Sequence, residues 1–441
     1  MENSNQLDQE RREARRKRRR KNQISAYITL LMFIIVVAAG IVIGVKYITE
    51  TSRNSNEADD GSRLESLLPT EDELVVPDTS EEAEVVPELT DEQKLDEIIN
   101  AGIEVMPLED KIAGLFIVAP EAITGVSTVI QAGEGTKDAL AMYAVGGIVY
   151  FTKNMQSGEQ LAEMISNTTL YTKYPLFIAV DEEGGSVNRV ADAGIADKVD
   201  SAKAIGQTLD TANAYQAGLT VGGYLSELGF NLNFAPVADL ANVDGSIMEG
   251  RSYGSEASIA SSFMTAMMQG LEEQNVTACL KHFPGIGGST GDTHEGMVTT
   301  ERSAEEFREE EFAVFKAGID SGADMIMVGH ISAPSLTDDE NIPCSLSKTV
   351  VTDILRGELG FDGVVITDAM NMGAISEYYN ADEAAIMALR AGCDMILMPE
   401  DFENAYAGVL AAVQDGTISE ERIDDSLRRI YRIKYAGMLQ E

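Results

Sequence analysis

Two of the chain's three histidines fall in one glycine-rich stretch, Lys281-His282-Phe283-Pro284-Gly285-Ile286-Gly287-Gly288-Ser289-Thr290-Gly291-Asp292-Thr293-His294. The run Thr277-Ala278-Cys279-Leu280 leads directly into Lys281 and His282, the pattern of a buried strand whose end delivers polar groups to a mouth. Gly285, Gly287, Gly288, Gly291 and Gly296 then let the backbone fold back over that mouth or move as a lid. Asp292 and His294 lie two residues apart, so on a turning segment their side chains can hydrogen-bond. A carboxylate so placed fixes the imidazole tautomer and favours its protonated form. Such a pair can give and reclaim a proton near neutral pH, since an unperturbed histidine titrates at about 6.5. An isolated Asp-x-His is more often an incidental surface turn; the lysine and histidine upstream single this one out.

Groups of this kind need a scaffold, and the chain holds eight short apolar runs: Leu115 to Val118, Gly147 to Phe151, Leu176 to Val180, Leu232 to Val237, Val276 to Leu280, Met325 to Val328, Gly363 to Ile366 and Met395 to Met398. Most gaps carry a helical pattern with a start signal, such as Ser303-Ala304-Glu305-Glu306 before Phe307, Phe312 and Phe315, or Ser419-Glu420-Glu421 before Ile423, Leu427 and Ile430. Eight alternations of strand and helix predict an α/β fold of the (β/α)8 barrel type. A doubly wound open sheet is the alternative. Against it, no Gly-x-Gly-x-x-Gly block follows the first run, and Asp181, Asp239, Lys281 with His282, His330 and Asp368 all come at or after the ends of runs, where a barrel brings them to one face. The gap between the third and fourth runs is long and largely one Ala/Gly-rich helix around Ala212 to Leu228. His330 is expected in the core or behind the site, and the methionine groups (Met264, Met267, Met268; Met370, Met372) as core filling.

The Lys281–His294 segment resembles the signature of the family-3 glycoside hydrolases, in their bacterial β-N-acetylglucosaminidase branch, where Lys-His-Phe-Pro-Gly-His-Gly precedes Asp-Ser/Thr-His. Ile286 stands where that branch usually has a histidine. Three further blocks agree in order. Asp181-Glu182-Glu183-Gly184-Gly185-Ser186-Val187-Asn188-Arg189 looks like the family's Asp-x-Glu-Gly-Gly-x-Val-x-Arg, and Gly250-Arg251-Ser252-Tyr253-Gly254 is similar to its Arg-Ser-Phe-Gly. Val364 to Met372 resembles the strand and aspartate that supply its nucleophile. The resemblance spans about residues 107 to 436.

It implies a retaining exo-glycosidase with Asp368 as nucleophile, His294 as acid/base oriented by Asp292, and Asp181, Arg189, Arg251, Lys281 and His282 in contact with a terminal N-acetylglucosamine. The residues suit those roles. A carboxylate at the end of a buried strand is held rigidly and tolerates an oxocarbenium-like charge opposite it; taken alone, Thr367-Asp368 would read as a helix N-cap. Arginines are commonly exposed or ion-paired for structure alone. A neutral histidine base repels an incoming anion less than a carboxylate does, so phosphate is admitted as an alternative acceptor to water. No metal or organic cofactor is called for. The rival specificity, β-glucosidase, draws its acid in related enzymes from a carboxylate on a further C-terminal domain, for which this chain is expected to have no room. A rival of another class is a wall-binding protein that keeps the barrel and has lost activity, against which the intact Asp368, His294 and Asp292 speak.

The remaining sequence predicts location. Residues 11 to 21 carry nine Arg or Lys, and Ala26 to Val45 follow without a charge, about the length that spans a bilayer core. This predicts a basic cytoplasmic tail over 1–22 and a transmembrane helix over 23–48, with all that follows outside the cell. A cleaved signal peptide competes, but the apolar run is long for one and no small-x-small cleavage site follows. Residues 49–89, acidic and carrying Pro69, Pro77 and Pro87, predict a disordered tether able to reach on the order of 100 Å. Thr90-Asp91-Glu92-Gln93 has capping-box spacing and starts the folded part, a monomeric barrel domain over 90–441. With 33 basic and 73 acidic residues the chain is at −40, and beyond residue 21 it has 24 against 69. That excludes nucleic acid and anionic headgroups as partners of the domain, leaving N-acetylglucosamine-containing glycans or muropeptides for the site and a lipid bilayer for the anchor. Cys279, Cys344 and Cys393 lack metal-ligand spacing and are expected as buried thiols, with one disulfide still open.

Overall fold

The computed structural model describes residues 90–436 apart from 338 and 340, so the expected tail, membrane helix and tether over 1–89 lie outside the described residues. Within them, eight strands close a barrel: β1 (Phe116–Val118), β2 (Gly147–Val149), β3 (Phe177–Val180), β4 (Leu232–Asn233), β5 (Thr277–Phe283), β6 (Met325–Val328), β7 (Val364–Ala369) and β8 (Met395–Leu397). Each runs parallel to the next, and β8 returns to β1 through Phe116↔Ile396 and Ile117↔Leu397. Their near-continuous Val/Ile/Leu/Met/Phe character follows from burial on both faces, inward against one another and outward against helices. Among the described residues no helix is long and apolar enough to cross a membrane.

The helix starts obey their local chemistry. Thr90 and Gln93 form a reciprocal capping box on Asp91–Glu104, Ser303 and Glu306 do the same at Ala304, and the Ser419 hydroxyl accepts from the Arg422 N–H at the head of Glu420–Tyr435. Helix Asp91–Glu104 then packs on Glu420–Tyr435, where Arg432 grips Asp96 through two bonds of 2.8 Å. All three cysteines are buried and free.

Three departures from the sequence pattern matter for the site. The apolar run at 232–237 is regular strand only through Asn233, because Pro236 has no N–H for the ladder; the chain still runs beside β5, with the Cys279 N–H donating to the Ala235 carbonyl at 2.9 Å. Strand β5 is longer than its apolar run and carries Lys281 and His282 within it. The connection from β3 to β4 holds more than a helix: Glu182–Gly184 and Val187–Asn188 form an antiparallel hairpin over the barrel mouth. The buried Glu182 carboxylate braces this hairpin by accepting from the Val190 and Ala191 N–H groups and the Tyr224 hydroxyl, at 2.8, 3.0 and 2.9 Å.

The Ala/Gly-rich composition of helix Ala212–Leu228 has a packing cause. It crosses helix Ala257–Glu272 with Gly218 set against Gly270, and a methyl on Gly218 would stand 2.4 Å from the Met267 carbonyl oxygen. A methyl on Gly270 would stand 2.4 Å from the Tyr215 carbonyl oxygen. In an isolated helix Gly→Ala gains about 1 kcal/mol, whereas forcing backbones apart in a packed core costs about 1–3 kcal/mol. Gly270→Ala is therefore expected to lower the urea midpoint without changing the m-value; a raised midpoint would mean the two helices do not meet there.

Candidate active site

The C-terminal ends of the strands open into a cleft of about 260 Å³. It is lined by Asp181, Arg189, Arg251, Lys281, His282, His294 and Asp368, together with Glu183 and an apolar wall that includes Phe151, Ile286, Met372 and Met398. Asp292, the remaining residue expected at the site, stands behind His294. The barrel thus gathers groups that are up to 187 positions apart in sequence, from 181 to 368.

At the centre is a buried ammonium. Lys281 Nζ lies 2.8 Å from Asp181 Oδ1 and 2.7 Å from Glu183 Oε1, and its side chain is only 3% exposed. Glu183 is also gripped by Arg251, whose Nε and Nη2 donate to its two oxygens at 2.8 and 2.6 Å. Burial acts against the charge of each member, but the partners outweigh it: Lys281 is raised by Asp181 and Glu183, and Glu183 is held far below the carboxylate range by Lys281 and Arg251. Arg189 is looser. Its Nη2 is 4.0 Å from Asp181 Oδ2, its guanidinium lies 5.8 Å from the centre of the Phe151 ring, and its buried Nε has no hydrogen-bond partner among the described residues.

A regular strand would send Lys281 and His282 to opposite faces. The pairing of β5 with β6 shifts between Lys281↔Met327 and Phe283↔Val328, so His282 is an extra residue and both side chains reach the cleft. Asp239, buried after β4, fixes that bulge: Oδ2 is 2.7 Å from His282 Nδ1 and accepts from the His282 N–H, while Oδ1 accepts from the Ile286 N–H at 2.7 Å. Ile286 packs beside Gly329, putting a hydrocarbon wall where the resembled signature usually has a histidine.

Asp368 is the penultimate residue of β7 and lines the cleft. It caps no helix, since the next begins at Gly373 behind Met372; its Oδ1 accepts from the Ala369 N–H at 2.7 Å. Burial alone would raise its carboxyl, but His282, His330, the Ala369 N–H and Lys281 together hold it below the usual carboxylate range. His330 is fully buried, bonded to the Ser345 hydroxyl at 2.8 Å and the Ala369 carbonyl at 3.0 Å, which steadies the backbone beside Asp368. Desolvation pushes its imidazole toward the neutral form.

His294 differs from every other group here, with 68% of its side chain exposed. Asp292 Oδ1 holds its Nδ1 at 2.7 Å and accepts from its N–H at 2.9 Å. The Thr293 and His294 carbonyls accept from the Ala374 and Gly373 N–H groups at 3.0 and 3.2 Å, docking the loop against the turn after β7. A methyl on Gly373 would meet the His294 carbonyl oxygen at 2.7 Å, so that docking requires glycine.

Glu183 and Asp239 hold the site together without a role that the sequence alone assigns them. Both left a trace: Glu183 lies within the Asp181–Arg189 block, and Asp239 was one of the polar groups after apolar runs. Truncating one member of a buried charged pair costs about 3–5 kcal/mol because the other is stranded. Glu183→Ala is expected to lose that much in urea denaturation, and addition of Lys281→Met to recover part of it. The Glu183 contribution, from a depressed pKa, is complete above the ordinary carboxylate range and is lost only as pH falls below it. The loss in Glu183→Ala should therefore be the same at pH 6 and pH 8.

The profile of the glycosyl hydrolase family 3 N terminal domain matches residues 107–433. The beta-hexosaminidase A of Pseudoalteromonas piscicida is 29% identical over 325 residues, covering 67% of this chain and 54% of the relative. The beta-hexosaminidase of Nitrosomonas eutropha is 32% identical over 267 residues, covering 59% of this chain and 75% of that one. A solved family-3 beta-N-acetylglucosaminidase from a Paenibacillus species superposes with a TM-score of 0.71 at 33% identity, over 76% of this chain and 64% of that one. The chain thus spans about half the length of the Pseudoalteromonas relative. With a closed barrel, four ordered blocks meeting at its mouth and a profile covering most of the chain, the protein belongs to glycosyl hydrolase family 3.

Proposed function

We propose that the chain is a retaining exo-glycosidase that, as a monomer, removes non-reducing terminal β-linked N-acetylglucosamine, with peptidoglycan fragments as its substrate class. The observation that carries this is the convergence on one cleft of a strand-end carboxylate and a carboxylate-backed histidine. Retention needs a nucleophile on one face of the sugar and a proton donor at the leaving oxygen. Asp368, ionised and rigid, attacks the anomeric carbon and forms a covalent glycosyl-enzyme. His294 protonates the departing oxygen and afterwards takes a proton from the water that frees the sugar. Asp292 keeps the proton on Nδ1, leaving Nε2 to face the substrate, as the carboxylate of a serine-protease triad does for its histidine.

Asp181 accepts from sugar hydroxyls, and Arg189, Arg251, Lys281 and His282 donate to them. A cleft of about 260 Å³ falls below the roughly 300–1,000 Å³ of drug-sized pockets, which supports the holding of one terminal ring. The names borne by the Pseudoalteromonas, Nitrosomonas and Paenibacillus relatives support an N-acetylated hexosamine there. The nine basic residues at 11 to 21 and the uncharged run after them support a single-pass anchor in the cell membrane with the barrel outside.

Two experiments test this. The purified full chain is expected to release 4-nitrophenol from its β-N-acetylglucosaminide and far more slowly from its β-glucoside. Asp368→Ala should abolish that release, and His294→Ala should lower kcat by about 10²–10⁴-fold. A folded protein that turns over neither substrate would leave the wall-binding alternative, and preference for the glucoside would replace the specificity. In cells stripped of their wall, added protease should remove the barrel while the N-terminal tail stays protected. A barrel resistant until lysis would place it inside.

A further inference from the structure

Beneath the glycine-rich loop lies a charged cluster that the cleft does not use. Glu311 is fully buried, at the end of a π-helical turn over Phe307–Glu311, a local form often found at functional sites. Its Oε1 is 2.9 Å from Arg302 Nε and accepts from Asn242 Nδ2 at 2.9 Å, while Oε2 has no hydrogen-bond partner among the described residues. Glu310, on the same turn, takes Arg302 Nη2 at 2.6 Å and Asn242 Nδ2 at 3.2 Å. The loop rests directly on these side chains. A methyl on Gly285, whose φ is +123°, would fall 2.4 Å from Glu311 Cγ, and one on Gly288 would fall 2.4 Å from Arg302 Cδ. Between them, a methyl on Gly287 would strike the Leu240 carbonyl oxygen at 1.7 Å. Four residues beyond Gly288 comes Asp292, and six beyond it His294.

We propose that the Glu311–Arg302 pair is the seat of the loop that carries His294, a positioning device for the acid/base step that touches no substrate. The inference rests on the assignment of His294 as acid/base. The two glycines let the loop backbone lie on the stems of the paired side chains, so the height of the seat is set by how closely the pair is drawn together. Glu311 is also able to change charge near neutral pH. Burial pushes its carboxyl up to about 7 against the pull of Arg302, with Glu310 adding a like charge from the same turn and Asn242 facing it from the segment after β4 as a neutral donor. Above that pH the pair is ionic and tight. Below it Glu311 takes up a proton, Arg302 keeps only Glu310, and the seat loosens.

The test uses the full chain and its Glu311→Gln variant, which keeps the shape and cannot ionise. Hydrogen exchange of residues 285–296 is followed at pH 6 and pH 8, with labelling times adjusted for the intrinsic exchange rate, beside kcat and KM on the chromogenic glucosaminide. The wild-type loop should exchange faster at pH 6 than at pH 8, and the variant should exchange at the fast rate at both. The variant's kcat should fall about tenfold to a hundredfold, the scale of a misplacement of about 1 Å, with KM unchanged. Gly288→Ala, which pushes on Arg302 from the loop side, should quicken loop exchange at both pH values and serves if Glu311→Gln does not fold. Loop exchange identical in wild type and both variants overturns the proposal, whatever the activity. A wild type inactive on the substrate, but with pH-dependent loop exchange that Glu311→Gln removes, overturns the functional assignment and leaves the seat standing.

Discussion

A lysine with 3% of its side chain exposed can stay charged only if carboxylates stand against it, and the site is organised around that requirement. Lys281 comes from β5; its two counterions, Asp181 and Glu183, come from the turn and hairpin after β3. Arg251, from the segment after β4, closes the group through Glu183. Two connections and a strand are thus tied at one point, which places Asp181 and Arg251 at the wall of the cleft and Lys281 beside Asp368. Removing any member leaves an uncompensated charge, so the cluster holds as a whole.

Around it, backbone devices aim the side chains. The bulge at His282 turns a strand that would present alternate residues into one that presents two neighbours. Asp239 then holds the bulge and the start of the loop with the same carboxylate. Glu182 does comparable work on the other side, bracing the turn from which Arg189 projects. Neither carboxylate faces the cleft, yet each decides where a cleft residue points.

Much of this was legible in the sequence because barrels write their plan locally. A strand buried on both faces must read as a short apolar run, and its carboxyl end must carry whatever polar group the mouth needs. Hence eight runs marked eight strands, and Asp181, Lys281, His282 and Asp368 could be picked out at their ends. The glycine spacing likewise marked the loop of Asp292 and His294. What escaped depends on partners distant in sequence. Nothing in the string Lys281-His282 announces an extra residue relative to β6, and the Gly218 and Gly270 contact exists only once two helices cross. Glu183 looks like any surface acid until the cations around it are in place, and Asp239, marked only as a polar group after a run, has no visible task until the amides it holds are placed. Pro236 was the one local signal available for the early end of β4.

The dyad and the rest of the site are built on different foundations. Asp181, Glu183, Arg251 and Lys281 are locked by mutual ion pairs and Asp368 is held within β7, whereas His294 is carried on a glycine-rich excursion and stands 68% exposed. The contacts of that excursion with the rest of the domain include Asp239, Leu240, Arg302, Glu311, Gly373 and Ala374. The molecule is therefore modular in what it can vary. Substitutions in that excursion other than at Asp292 and His294 can reshape the solvent side of the mouth without disturbing the ion pairs at the end of the barrel. A lineage with this architecture can keep one preference inside the barrel while adapting freely to what hangs outside it.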